Sequence, residues 1–308
     1  MKKIAITGIT GFVGQNLKKY IEKSSLDHLI GVSRKKSGEQ IKTYEELTPQ
    51  FWSQIGSFVH LAGKAHDLKK TSEEKDYFEV NTELTKKLFD QFLASTCETF
   101  IYMSSVKAAA DEVVGFLSEE VLPNPVTAYG KSKLAAENYI VSKELPKNKR
   151  VYILRPCMIH GPNNKGNLNL LYSFVSKGIP YPFGKYTNQR SFLSVDNLCF
   201  VIKELIENKE IASGIYNIAD DATLSTCELV QIIGKTIQKS AKILNLPKSV
   251  VNLMARLGDI IPLPINTERV QKLTENYCVS NAKIKKAMGK ELPLTAEEGI
   301  KKTIKSFQ

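Results

Sequence analysis

The apolar run Phe100–Met103 ends in a pair of hydroxyls, Ser104 and Ser105, and the later segment TAYGKSKLAAE (127–137) carries Tyr129 and Lys133. Residues four apart on a helix share a face, so the spacing predicts that Tyr129 and Lys133 work side by side. An ammonium near a phenol favours the phenolate and is expected to lower the tyrosine pKa toward neutrality. Such a tyrosine can take or give a proton at a carbinol or carbonyl oxygen. Ser105 can donate to the same oxygen, as an oxyanion hole does. A Tyr-x-x-x-Lys pair alone is common; it gains weight here by following a strand that ends in hydroxyls.

A second constellation opens the chain. ITGITGFVG (6–14) places Gly8, Gly11 and Gly14 at three-residue intervals between a strand pattern and a helix pattern, with Phe12 and Val13 inside the turn. In such a turn the first glycine lets the chain reverse, the second lets a pyrophosphate approach the backbone, and the third lets helix and strand pack closely. The pyrophosphate would sit on the helix N-terminus. Folds of this kind that take NAD often carry an acid at the end of the second strand. That place reads Ser33-Arg34-Lys35-Lys36. Arg34 could pair with a 2′-phosphate and Ser33 could donate to it, so NADP is favoured over NAD.

The elements that must position these residues alternate. Strand patterns at 3–7, 28–33, 57–62, 99–104 and 150–155 are rich in Val, Ile and aromatics, and helix patterns at 11–23, 76–94 and 127–145 lie between them. Near-continuous apolar strands separated by helices predict an α/β fold, a Rossmann-type doubly wound parallel sheet covered on both faces. After Gly161-Pro162 the pattern shifts to turn-rich sequence with a helix at 168–177, a helix at 195–208, a strand at 214–219 and one near 276–279. We read residues 1–165 as a dinucleotide-binding domain and 166–308 as mainly a smaller substrate-binding lobe, with 191–220 returning to the first.

Composition narrows the class. Hydrophobic residues make up 42% and charged residues 24%, as in ordinary soluble globular proteins. The apolar run after Lys2-Lys3 breaks at Thr7-Gly8, too soon for a signal peptide. The longest apolar window, 249–265, is cut by Arg256, Asp259 and two prolines, so no membrane span is expected. Cys97, Cys157, Cys199, Cys227 and Cys278 are dispersed without a CxxC, which points to a reducing cytoplasm and no disulfide framework. The net charge is +11, but the lysines are scattered and not interleaved with aromatics, so nucleic acid is not an expected partner. No His/Asp/Glu cluster has metal-ligand spacing. His60 lies on a buried strand pattern and reads as structural, and His66 offers no better acid.

The glycine turn, VHLAG (59–63), VN (80–81), SS (104–105), YGKSK (129–133), LRPCMIHGP (154–162) and RSFLSVDNL (190–198) together resemble the extended short-chain dehydrogenase/reductases, the NAD-dependent epimerase/dehydratase family. SSVK and KGNLNLLYSFVSKGIPYPFG resemble its UDP-sugar 4-epimerase-like group, which includes UDP-4-keto-6-deoxy-sugar reductases. The resemblance implies that Leu61, Ala62 and Gly63 line the cofactor, that Asn81 supports it, and that Lys133 also holds the nicotinamide ribose. It implies that Ser105, Tyr129 and Lys133 are catalytic. For a UDP-sugar substrate it implies contacts from Asn167 and Arg190, with Arg269 a looser match, and places Tyr181 of PYPF (180–183) at the uracil. Asn167 also suits a helix N-cap, and Arg190 an ordinary ion pair. His160 stands where the family often has tyrosine and reads as a packing residue. Homodimers through the 76–94 and 127–145 helices are an expectation by analogy.

The implied chemistry is hydride transfer at sugar C4, as a 4-epimerase or a 4-keto-sugar reductase in surface-polysaccharide precursor synthesis. Dehydratases of the family carry an Asp-Glu pair after the catalytic hydroxyl; here those positions are Val106 and Lys107, so a 4,6-dehydratase is not expected. Lys107 is instead a candidate substrate contact. The contrasting reading is a catalytically inactive NAD(P)-binding sensor, against which the intact Ser105, Tyr129 and Lys133 set speaks.

Overall fold

The computed structural model describes residues 3–23, 29–36, 38, 40–64, 73–164, 167–261 and 266–308. His66 and the 165/166 boundary lie outside the described residues. The strands in chain order are β1 (Lys3–Thr7), β2 (Leu29–Val32), β3 (Ile41–Lys42), β4 (Ile55–His60), β5 (Thr99–Met103), β6 (Phe116–Leu117), β7 (Arg150–Pro156), β8 (Met158–His160), β9 (Arg190–Ser194), β10 (Gly214–Ile218), β11 (Thr223–Leu224) and β12 (Cys278–Val279).

Seven of them form one parallel sheet in the order β3-β2-β1-β4-β5-β7-β10. The chain first steps outward from β1 to β3, then returns to β4 and builds the other way. The reversal between β1 and β4 is the topological switch point, where ligands of such sheets bind beyond the carboxyl ends of the strands. The glycine turn, residues 61–64 and Ser104-Ser105 all follow those ends.

Strand alternation sorts the core into two faces. Ile4, Ile6, Val59, Ile101, Met103 and Leu154 pack with Leu17 and Ile21 of the helix Phe12–Glu22 and with Leu198, Val201 and Ile202 of the helix Val195–Glu207. The intervening Ala5, Phe58, Phe100, Tyr102 and Ile153 face Trp52, Phe89, Phe92, Ala136 and Ile140. With both faces covered, the strands can be apolar at every position. A third core, with Leu171, Phe183, Phe192, Leu229, Ile233 and Ile300 among its members, organises the C-terminal part. There β8, β9 and β11 form a small sheet and β6 pairs with β12. The short strands β3, β6, β8 and β11 carry too few residues to show a period in sequence.

Candidate active site

Gly8 has φ +67°, and a Cβ there would lie 2.8 Å from Ala62 N. A Cβ on Gly14 would lie 2.3 Å from Gly8 O. Both positions therefore require glycine for the chain's own packing. Gly11 differs: a Cβ would meet only Gly8 O, at 3.2 Å. Its bareness leaves backbone open to a ligand. Gly11 also precedes the helix Phe12–Glu22, whose first turn has no side-chain cap and no acid, so its N–H groups and dipole are presented to an anion. Phe12 and Val13 are partly buried against the first core.

Across the switch point, Thr7 Oγ1 accepts from Ala62 N at 3.0 Å and pairs with His60 Nδ1 at 2.7 Å. His60 Nε2 pairs with Thr85 Oγ1 at 3.0 Å. Burial pushes the His60 pKa down to about 3, with the Lys133 charge adding to the effect. His60 is thus a neutral structural link. Buried Asn81 holds the following loop: its Oδ1 accepts from Lys64 N at 2.8 Å, and its Nδ2 donates to Lys64 O at 3.1 Å and to Ser132 Oγ at 3.0 Å. A Cβ on Gly63 would lie 2.9 Å from Asn81 Oδ1 and 3.0 Å from Lys133 Nζ. Leu61, Ala62 and Gly63 therefore form a pinned backbone floor beside the glycine turn. These bare, closely approached backbones fit the dinucleotide that the turn suggests.

Tyr129 and Lys133 lie on the helix Ala128–Val141, whose Thr127 N-cap accepts from Gly130 N. Ser105 lies beside Tyr129, close enough to act on its phenol, and itself caps the short helix Val106–Ala108 by accepting from Lys107 N at 3.2 Å. Tyr77 meets Tyr129 edge-on at 6.2 Å. Lys133 Nζ donates to Met103 O at 2.8 Å and lies 4.9 Å over the Tyr102 ring. Burial lowers its pKa to about 8, against the carboxylate of Glu137, which raises it. The expectation of a tyrosine lowered toward neutrality is not met by the chain's own groups. Burial pushes Tyr129 above its ordinary value; the Ser105 hydroxyl opposes this without overcoming it.

Beneath the pair, Glu137 continues the helix face one turn beyond Lys133. Its carboxylate accepts from Ser104 Oγ and from Arg155 Nε at 3.0 and 3.1 Å, with Arg155 Nη2 completing the fork. Ser104 thus anchors the end of β5 while Ser105 faces the tyrosine.

The other expected contacts divide. Lys107 Nζ donates to Asp111 O at 2.8 Å and lies 4.4 Å over the Tyr277 ring, and burial lowers its pKa. Arg190, at the start of β9, donates to Lys272 O and pairs with Glu275 Oε1 at 3.3 Å, near enough to Lys107 and Tyr277 to act on both charges. Tyr181 is buried in the third core, edge-on to Phe183 at 5.0 Å. Arg269 is exposed on the helix Thr267–Thr274. Asn167 is the first described residue of the helix Asn167–Ser176. Arg34 is exposed beyond β2, and Ser33 Oγ turns back to Lys35 O. His160 is buried and bonded to Thr303, as a packing residue. No metal-ligand cluster occurs among the described residues. Sequence reading missed Thr7, Tyr77, Glu137 and Arg155. Only the i, i+4 spacing of Lys133 and Glu137 could have signalled the last pair.

A parallel sheet with a glycine turn at its switch point defines a Rossmann-type dinucleotide-binding fold. The chain belongs to the NAD-dependent epimerase/dehydratase family, whose pattern it matches over residues 4–219. It is 32% identical to a UDP-glucose 4-epimerase of Vibrio cholerae, covering 99% of this chain and 95% of that protein. It is 25% identical to an N-acetyl-alpha-D-glucosaminyl-diphospho-ditrans,octacis-undecaprenol 4-epimerase of Escherichia coli O157:H7, over 98% of this chain and 94% of that one. The structure of a UDP-glucuronic acid 4-epimerase from Bacillus cereus in complex with NAD superposes with a TM-score of 0.74 at 19% identity, covering 99% of this chain and 98% of that one. No helix among the described residues is long and apolar enough to cross a membrane.

Proposed function

We propose that the protein carries out hydride transfer at C4 of a UDP-sugar, with Ser105, Tyr129 and Lys133 as its catalytic set. The observation that carries this is the placement of Ser105 beside Tyr129 beyond β5, with Lys133 one helical turn on and the Gly8–Gly14 turn after β1, two strands away. Residues 1–165, with 191–220 returning to them, would hold the dinucleotide, and 166–308 mainly the sugar nucleotide. When bound, the nicotinamide supplies or accepts the hydride. Tyr129, a neutral phenol without ligand, would have to ionise once the positively charged nicotinamide lies beside it and Lys133; as phenolate it takes the C4 hydroxyl proton in oxidation, and as phenol it returns it in reduction. Ser105 donates to the same oxygen, and Lys133 provides positive charge beside it. Lys107 and Arg190 supply cationic groups for phosphate or sugar oxygens. Val106 is buried and Lys107 is cationic, so no carboxylate pair follows Ser105, and elimination of water is not part of the proposal.

Epimerisation is favoured by the likeness to the Vibrio 4-epimerase. Reduction of a 4-keto sugar is favoured by Arg34 at the end of β2, which suits the 2′-phosphate of NADP(H) and a cofactor consumed each turnover. Synthesis of surface-polysaccharide precursors in the cytoplasm accords with both, and with five cysteines dispersed along the chain. The purified protein is offered UDP-glucose, UDP-N-acetylglucosamine and a UDP-4-keto-6-deoxy sugar in turn. Interconversion without added cofactor identifies an epimerase; NADPH oxidation with the keto sugar alone identifies a reductase. Arg34→Asp should move preference from NADP to NAD by about tenfold, one charge-assisted contact. Turnover of no sugar nucleotide, with Tyr129→Phe matching the wild type throughout, refutes the proposal.

A further inference from the structure

The helix Lys248–Ile260 is more apolar than the fold requires. At ~100° per residue, Val250, Leu253, Met254, Leu257 and Ile260 fall within about a third of its circumference. All five are exposed, Leu253 by 60% and Ile260 by 82%. The face that the protein covers is the adjacent one, through Val251 and Ala255. The remaining arc is polar, with Ser249, Asn252, Arg256 and Asp259. Single exposed apolar residues need no explanation, but a continuous stripe of them marks a contact surface.

Charge says what kind of surface. Between Glu228 and Asp259 the chain carries Lys235, Lys239, Lys242, Lys248 and Arg256 and no acid. Lys248 and Arg256 lie on the striped helix itself, and Lys248 reaches the Tyr186 ring, 5.2 Å away. A second copy of the chain is a poor occupant. In a two-fold contact the patch meets itself, and the helix would set Lys248 and Arg256 against their copies, while its one acid, Asp259, is already bonded to Thr267 N and Oγ1. An apolar stripe beside a polar arc that carries these two cations is what a helix lying in a membrane interface needs.

We propose that Lys248–Ile260 is an interfacial helix that docks the protein on an anionic phospholipid surface. Its apolar stripe enters the headgroup boundary, and Lys248 and Arg256 on the same helix engage the phosphates. It lies in the same C-terminal part of the chain as Arg190, whose partner Lys272 belongs to the helix Thr267–Thr274 packed against it. The docking concerns access to the site and is independent of the reaction assigned to it.

The test is co-sedimentation of the full chain with vesicles, without any activity readout, so its failure and that of the C4 assignment are separable. Wild type should bind phosphatidylglycerol-containing vesicles, bind pure phosphatidylcholine weakly, and release at high salt. Leu253→Ser with Leu257→Ser, and separately Lys248→Glu with Arg256→Glu, should each weaken binding at least about tenfold. All four side chains are exposed, so the variants should keep wild-type far-ultraviolet circular dichroism. Binding equal to wild type in both double variants overturns the proposal. So does no binding by the wild type, including the case where the leucine variant converts a solution dimer to monomer, which would assign the stripe to a second copy.

Discussion

Glu137→Gln tests whether the buried charge network under the site is a unit. Glu137 and Arg155 are 1% and 2% exposed, so folding has already stripped both of water. In the variant the carboxamide can offer Arg155 one acceptor, while its NH2 faces guanidinium and Ser104 donors. Removing one partner of a buried ion pair leaves the other uncompensated and costs about 3–5 kcal/mol. For 308 residues the unfolding entropy is about 650 cal/mol/K, so the midpoint should fall by about 5–8 °C. Replacing both partners removes the stranded charge: Glu137→Leu with Arg155→Met should be within about 1.5 kcal/mol of wild type. Urea denaturation of the wild type, Glu137→Leu, Arg155→Met and their double variant closes a cycle, with Glu137→Gln measured beside it. A single variant within about 1 kcal/mol of wild type, or a double variant as unstable as the sum of the singles, would refute the reasoning.

Three further outcomes follow from the site. Lys133 titrates at about 8 folded against 10.5 ordinarily, so above pH 8 the unfolded chain holds more protons and stability should rise by about 2 kcal/mol from pH 8 to 9.5; Lys133→Met should flatten that rise in urea midpoints, and an unchanged slope counts against a buried lysine. In the ligand-free protein, ultraviolet difference titration of wild type against Tyr129→Phe should show no phenol ionising below its ordinary value of 10; a transition near neutrality seen in wild type and lost in the variant would contradict the burial argument. Gly14→Ala would bring a Cβ to 2.3 Å from Gly8 O and should weaken dinucleotide binding by at least about tenfold, 1.4 kcal/mol by calorimetry; unchanged affinity would mean that the turn does not hold the cofactor.

The doubly wound sheet was legible because its strands are long enough to show apolar runs and its helices long enough to show a period of 3.6. The glycine turn was legible because two of its glycines answer a steric demand that no other residue meets. What sequence could not carry was the choice between competing partners. Tyr129 and Lys133 do share a helix face, yet Lys133 donates to Met103 O and lies over Tyr102, and burial is the largest influence on the tyrosine. Arg190 was expected to meet a diphosphate, and the fold also gives it Lys272 O and Glu275. Any anion it binds must compete with a carboxylate 3.3 Å away, so part of the attraction is already spent. Both cases have one physical cause. Spacing along a chain fixes which face a side chain shares, while its proton and charge are fixed by whatever three-dimensional packing brings within about 4 Å in a low dielectric. A helix-face motif therefore locates a catalytic group earlier than it sets that group's pKa.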